Sequence, residues 1–381
     1  MTKKVTSQTP PLPEQLHLAG SSGGARAILA SCGVLLASEL AGIKYKSTGG
    51  ISGSAITLYV YAKTGSAVES LKMALALDFG KFLDTKRGNW FKVFLELAKR
   101  RHLKGALDVA RRALRIPDKP GEALIKRSRP IKGVYTTTKF GQFIREMALN
   151  SDGVEEWPKG FWTSAVSEDS EVFFTEHGVY ICGKDGILRI LDRRTAPVSV
   201  AILASCAIPG VMDSQRYKGL DLYDGFLGKG GRCPIEVPLR IFGARHRDIV
   251  ACDVGDDRTR MGLRIARFWR WMCGDNCIPD LDDDLPSFVR NGDPVVHVDM
   301  DILFFKTLEF DLTPDQKWKA VMEAFCQCVA VFTREGLLKG DKLKTATTIA
   351  RRYTKEILTK ELPEGELAKR VQALMSSHGL A

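Results

Sequence analysis

Short apolar runs separated by glycine-rich turns open the chain, and the period of each run predicts its element. From Gln15, QLHLA reads as a strand, GSSGGARA as a turn and ILASCGVLLASELAG as a helix. IKYKST, GGISGS and AITLYVYAKTG then repeat strand, turn and helix. Strands alternating with helix-length segments predict a mainly parallel sheet with crossover helices, a three-layer α/β/α arrangement. Both glycine turns would then lie at the carboxyl ends of neighbouring strands, where open α/β sheets bind ligands. Further strands are expected over 161–176, 196–203 and 248–253. In LTPDQKWKAVMEAFCQCVAVF, Thr313 is the expected N-cap and Pro314 the first helical residue of a long packing helix. From Gly340 the chain is charged and helical in pattern, with no internal repeat anywhere.

Residues 66–133 break this rhythm. Leu103, Ala106, Leu107, Ala110 and Leu114 recur at helical spacing, and Lys104, Arg111 and Arg115 take another face, the mark of an amphipathic insertion. The expected organisation is a flexible tail (1–14), one catalytic domain (15–335) containing this basic insertion or lid (66–133), and a helical C-terminal extension (336–381). Between Lys81 and Gly133 there are sixteen Lys or Arg against five Asp or Glu, which accounts for the whole formal net charge of +11. One segment therefore sets the electrostatics of the molecule and predicts an anionic partner. The segment contains no recognised nucleic-acid motif, so a phospholipid surface is the expected partner and nucleic acid is not.

The remaining composition narrows the class. The first residues carry two lysines without an apolar stretch behind them, so no cleaved secretory signal is expected. The longest apolar tracts, 27–43 and 198–212, are too short to span a bilayer. Nine cysteines, an odd number, predict reduced and mostly buried thiols. These features point to a cytoplasmic protein with peripheral membrane association, while a signal-independent secretion route stays open. Neither Cys326 and Cys328, Cys273 and Cys277, nor the acidic run Asp275–Asp284 has the spacing of a metal site, so no metal or other cofactor is expected.

Chemistry concentrates in the turns. Gly50-Ile51-Ser52-Gly53-Ser54 is G-x-S-x-G with serine at the last position, between a strand-like run and a helix. That setting lets small neighbours expose a serine hydroxyl on a sharp turn, so Ser52 is the candidate nucleophile, with Gly50 and Gly53 supporting the elbow. Ser22-Gly23-Gly24-Ala25-Arg26 is a glycine turn entering a helix, and the amides of Gly23, Gly24 and Ala25 could meet an oxyanion there. A phosphate-binding P-loop is excluded because G-x-x-x-x-G-K-[ST] is absent. Asp224-Gly225 ends an apolar run before a glycine-rich loop. Chain order alone would also permit a Ser52, Asp224, His297 triad.

Three of these motifs together resemble the patatin-like phospholipase family. Ser22–Ala27 is similar to its G-G-G-x-[RK]-G oxyanion motif, Gly50–Ser54 to its G-x-S-x-G elbow, and Asp224-Gly225-Phe226 to its D-G-[GA] motif. The segments ASCAIPGVM, GVYTTTKFGQFIREM and FDLTPDQKWKAVMEAF resemble further parts of the family, extending the likeness over about Gln15 to Phe332. The resemblance implies a lipid acyl hydrolase with a Ser52–Asp224 dyad, an acyl-enzyme and no metal. It gives Arg26 two readings, orienting the loop or a lipid phosphate, or serving as a structural partner, and the structural reading is preferred. Two alternatives remain: a weakly active or lipid-binding member, because Ser22, Ala27, Ser54 and Phe226 depart from the motifs, or a soluble esterase or acyltransferase using a histidine triad.

Overall fold

The computed structural model describes residues 15–82, 137–167, 170–208, 211–228, 233–254, 286–300, 302, 304 and 311–381. Most of the basic insertion, His102, the tail 1–14, Cys273, Cys277 and the acidic run 275–284 lie outside the described residues.

A ten-stranded sheet organises the chain. Strands β1 (Leu16–Gly20), β2 (Tyr45–Gly50), β3 (Phe161–Ser167), β9 (Ile249–Asp253) and β10 (Val296–Asp299) form a parallel half in the order β10-β9-β1-β2-β3. Beyond β3 the sheet continues antiparallel through β4 (Ser170–Thr175), β5 (Gly178–Cys182) and β6 (Leu188–Asp192). A small hairpin, β7 (Gln215–Tyr217) and β8 (Leu220–Asp224), joins through β8 to β3. This is the expected α/β architecture, parallel where the glycine turns lie, with an antiparallel meander at one edge.

The first two helices follow their strands as predicted. α1 (Ala25–Ala41) and α2 (Gly53–Thr64) are apolar on nearly every side, and Ala25 through Ser38 are all buried, as befits helices inside a layer rather than on its surface. Both stop at a left-handed glycine, Gly42 and Gly65, the usual device for ending a helix. α3 (Ala67–Ala76) begins the expected insertion, with Ser66 capping Glu69 N–H. α4 (Thr138–Ala148) lies beyond the undescribed part.

The run Val198–Ser205 is a helix, α5, and corrects the strand expected over 196–203. All but one of its eight side chains are buried, and apart from Ser199 and Ser205 the run is apolar; a short run of that kind has no period to separate a buried helix from a buried strand. The long helix α6 (Pro314–Arg334) starts as predicted. Thr313 Oγ1 accepts from Gln316 N–H while the Gln316 side chain accepts from Thr313 N–H, a reciprocal cap with Pro314 at the first helical position. α7 (Gly340–Arg352) and α8 (Glu366–Ser376) then pack on it.

The main core lies between the sheet and α1, α2 and α6. Ile349, Tyr353, Val371 and Met375 of the C-terminal segment join the same apolar cluster as Leu35, Val321 and Phe325. A second cluster, with Ala19, Trp162, Ala251 and Phe288, covers the opposite face. Seven cysteines are described, none in a disulfide and six buried. Burial raises the thiols of Cys32 and Cys326 to about 12, so these behave as packing residues rather than nucleophiles.

Candidate active site

Two strand ends meet head to head against β3. The parallel strand β2 accompanies β3 as far as Gly50, opposite Thr163, and then turns away. Two residues further along, β3 pairs with the antiparallel strand β8, Ala165 facing Asp224. At about 3.3 Å per residue, the Gly50 and Asp224 positions stand roughly 7 Å apart along β3. Ser52 lies two residues past the first strand end, and Asp224 is the last residue of the second. The carbonyl of Gly50 is held by the Thr163 hydroxyl at 2.8 Å.

Ser52 carries the backbone of a strained elbow, with φ 55° and ψ −128°, as the residue preceding α2. Such a conformation costs a non-glycine residue about 1–3 kcal/mol and persists only where its surroundings enforce it. Here they do. Ser52 N–H donates to Ser205 Oγ at 3.0 Å, and Ile51 N–H donates to the Gly20 carbonyl at 3.2 Å. A Cβ on Gly53 would run into the Gly24 carbonyl, so elbow and glycine turn are packed backbone to backbone.

Ser54, the letter that departs from G-x-S-x-G, is wholly buried, and its hydroxyl donates to the Ile51 carbonyl at 2.9 Å. Gly20 makes the room. A Cβ added there would stand 2.7 Å from the Cβ of Ser54, so the side chain absent from β1 is the space the elbow serine occupies.

Gly24 precedes α1 with φ 57° and ψ −133°, a conformation that glycine adopts without penalty. No side chain caps this helix, so the amides of its first turn are left to another acceptor. Ser22 and Gly24 are partly exposed. Arg26 is buried, and its Nη1 donates to the Ile302 carbonyl at 3.3 Å, which directs it into the protein body.

Asp224 is fully buried. Its Oδ1 accepts from Phe226 N–H at 3.0 Å, while Oδ2 makes no hydrogen bond of ordinary geometry. Burial pushes the carboxyl up to about 7, and the Phe226 amide and the nearby Ser52 hydroxyl both oppose that rise. Gly225 lets the strands close on one another. A Cβ there would lie 2.5 Å from the Ser164 carbonyl oxygen and 2.8 Å from Ile51 Cγ2.

The geometry thus gathers Ser52, Asp224 and the Gly23–Ala25 turn, with Gly50, Gly53 and Gly225 at the points of closest approach. It does not bring His297 to them. His297 lies on β10, level with Gly49 through Ala251 and Ala19, three strand spacings or about 14 Å away. Its ring packs edge-on against Phe288, and Nε2 stands 3.7 Å from Asp253 Oδ2. His17 bonds Ser47 at 2.7 Å, and burial drops it to about 4. None of the five described histidines hydrogen-bonds Ser52 or Asp224.

Among the described residues, Asp253, His297 and Asp299 have the composition to hold a cation, their ligand atoms lying within 4.8 Å of one another. Asp253 and Asp299 also engage other groups.

Two contributors escape a reading of the sequence, Ser205 and Thr163. Their only local signal is a small hydroxyl residue in an otherwise buried apolar run, where it must find a partner.

A search of curated proteins finds no match. The crystal structure of VipD from Legionella pneumophila is similar at a TM-score of 0.42 and 13% identity, covering 96% of this chain and 79% of that one. The model of the patatin-like phospholipase family matches residues 18–231, which is more than half of the chain and includes Ser52, Asp224 and the glycine turn. The chain therefore belongs to the patatin-like phospholipase family.

Proposed function

We propose that the protein is a lipid acyl hydrolase that cleaves ester bonds of phospholipids or lysophospholipids through Ser52 and Asp224. The observation that carries this reading is a buried carboxyl held near 7 and facing a serine on a strained elbow. Asp224 takes the Ser52 proton as Oγ attacks the ester carbonyl, and the amides of Gly23, Gly24 and Ala25 hold the oxyanion. The ester C–O bond then breaks, and the leaving alcohol takes the proton back from Asp224. Water, deprotonated by the same carboxylate, attacks the acyl-Ser52 ester; the bond to Ser52 Oγ breaks, Oγ takes the proton from Asp224, and the fatty acid leaves.

The basic segment supplies the docking chemistry. Its cationic side chains would hold the enzyme reversibly on anionic membrane, each near the surface contributing about 1 kcal/mol before screening by salt. Among the described residues no helix is long and apolar enough to cross a membrane. Arg26, buried and donating to the Ile302 carbonyl, is a structural partner rather than a lipid-headgroup ligand.

Fatty-acid release from vesicles of phosphatidylglycerol and of phosphatidylcholine tests both parts. Wild type is expected to release fatty acid faster from the anionic vesicles, by a margin that shrinks with salt, and Ser52→Ala to release none. Release that persists in Ser52→Ala would refute the nucleophile. Equal rates on both lipids at all salt concentrations would refute the docking role.

A further inference from the structure

We propose that the C-terminal turn of α5 is a yoke that sets the spacing of the two reacting groups, with Ser205 as a positioning residue for Ser52. This rests on the reading of Ser52 and Asp224 given above. Within three residues the turn grips both strand ends: Ser205 Oγ accepts Ser52 N–H at 3.0 Å, and the Ala207 carbonyl accepts Asp224 N–H at 3.0 Å. No strand hydrogen bond joins β2 to β8, since each pairs with β3 instead. Through this turn, one rigid segment is bonded to the backbones of both groups.

The turn is built to be rigid. Ser205, Cys206 and Ala207 are all buried, and Cys206 N–H is shared between the Ile202 and Leu203 carbonyls. Ala207 N–H closes on the Ala204 carbonyl at 3.2 Å. The Cys206 thiol is buried, and burial, then the charge of Asp224, raises it well above its ordinary value.

The bond from Ser52 N–H is also one of the restraints on the elbow at φ 55°, and it acts on the Ser52 backbone itself. Without an acceptor there, the amide is left buried and unpaired, and rotation about the Ser52 backbone swings the hydroxyl away from the carboxyl. A misplacement of about 1 Å at a reacting atom can cost on the order of 10²-fold in rate while leaving substrate binding alone. The positioning role therefore predicts a loss in kcat without a matching change in KM.

Ser199 on the same helix is the control. It is buried, its hydroxyl donates to Glu155 Oε1 at 2.7 Å and its amide to Glu155 Oε2 at 3.0 Å, and it has no bond to either strand end. Steady-state hydrolysis of a soluble short-chain ester, together with thermal unfolding, compares Ser205→Ala with Ser199→Ala. Both variants are expected to unfold at lower temperature, and Ser205→Ala alone to lose at least about tenfold in kcat with KM within twofold of wild type. Wild-type kcat in Ser205→Ala, or an equal loss in folded Ser199→Ala, overturns the yoke while leaving the Ser52 reading intact. Full activity in Ser52→Ala overturns both.

Discussion

Two groups of ionisable side chains stand at the carboxyl ends of one sheet, and they differ in what surrounds them. At the β2 and β8 ends, Ser52 and Asp224 sit among glycines and small residues, packed backbone to backbone, with one carboxylate oxygen unbonded in a fully buried site. At the β9 and β10 ends, Asp253, His297 and Asp299 cluster within 4.8 Å, with His297 partly and Asp299 well exposed. The second group has the aspartate and histidine of a hydrolase triad, in that chain order, but no serine. The first has the geometry. Strand order, which separates His297 from the elbow by three strand spacings, decides between them.

The largest effect expected from this contrast is on the chemical step. Asp224→Asn keeps the size and the bond from Phe226 N–H but cannot accept the serine proton, so kcat should fall by at least about 10³-fold in steady-state ester hydrolysis. A smaller loss, about 10²-fold in kcat, is expected for Gly24→Val, because a side chain at φ 57° displaces the turn whose amides we propose hold the oxyanion.

Stability should move the other way at the same carboxyl. Asp224 binds its proton more tightly folded, near 7, than unfolded, near 3.8, so wild type loses stability as pH rises through that window. The loss above it is on the order of 4 kcal/mol. Asp224→Asn should therefore melt at higher temperature than wild type at pH 8, and the advantage should vanish near pH 4. The smallest effect belongs to the other group. His297→Ala should change ester hydrolysis by less than about twofold, because the ring touches Phe288 and Asp253 and not the elbow.

Much of this was legible in the sequence because it is local. Period and punctuation place β1, α1, β2 and α2, and Thr313 with Pro314 marks the start of α6. The elbow and the glycine turn are short motifs whose chemistry follows from neighbours in the chain. What escaped is long-range. The head-on approach of β2 and β8 depends on pairings to β3 more than a hundred residues from Gly50, which no local pattern encodes.

The misassigned α5 had a specific consequence. A strand over 196–203 stops short of Ser205 and gives it no role, whereas a buried helix running to Ser205 and aimed at the elbow gives it its partner. Ser54 shows the same limit from the other side. It reads as a defect in a motif until Gly20, on the neighbouring strand, supplies the missing volume.

The central claim is that Asp224, with a carboxyl near 7, activates Ser52 without a histidine. The rate of covalent labelling of Ser52 by a fluorophosphonate, followed from pH 5 to 9 in wild type, Asp224→Asn and His297→Ala, tests it most directly. The rate should rise with pH about a midpoint near 7 in wild type and His297→Ala alike, and collapse in Asp224→Asn. Labelling that survives in Asp224→Asn, or that is lost in His297→Ala, would contradict it.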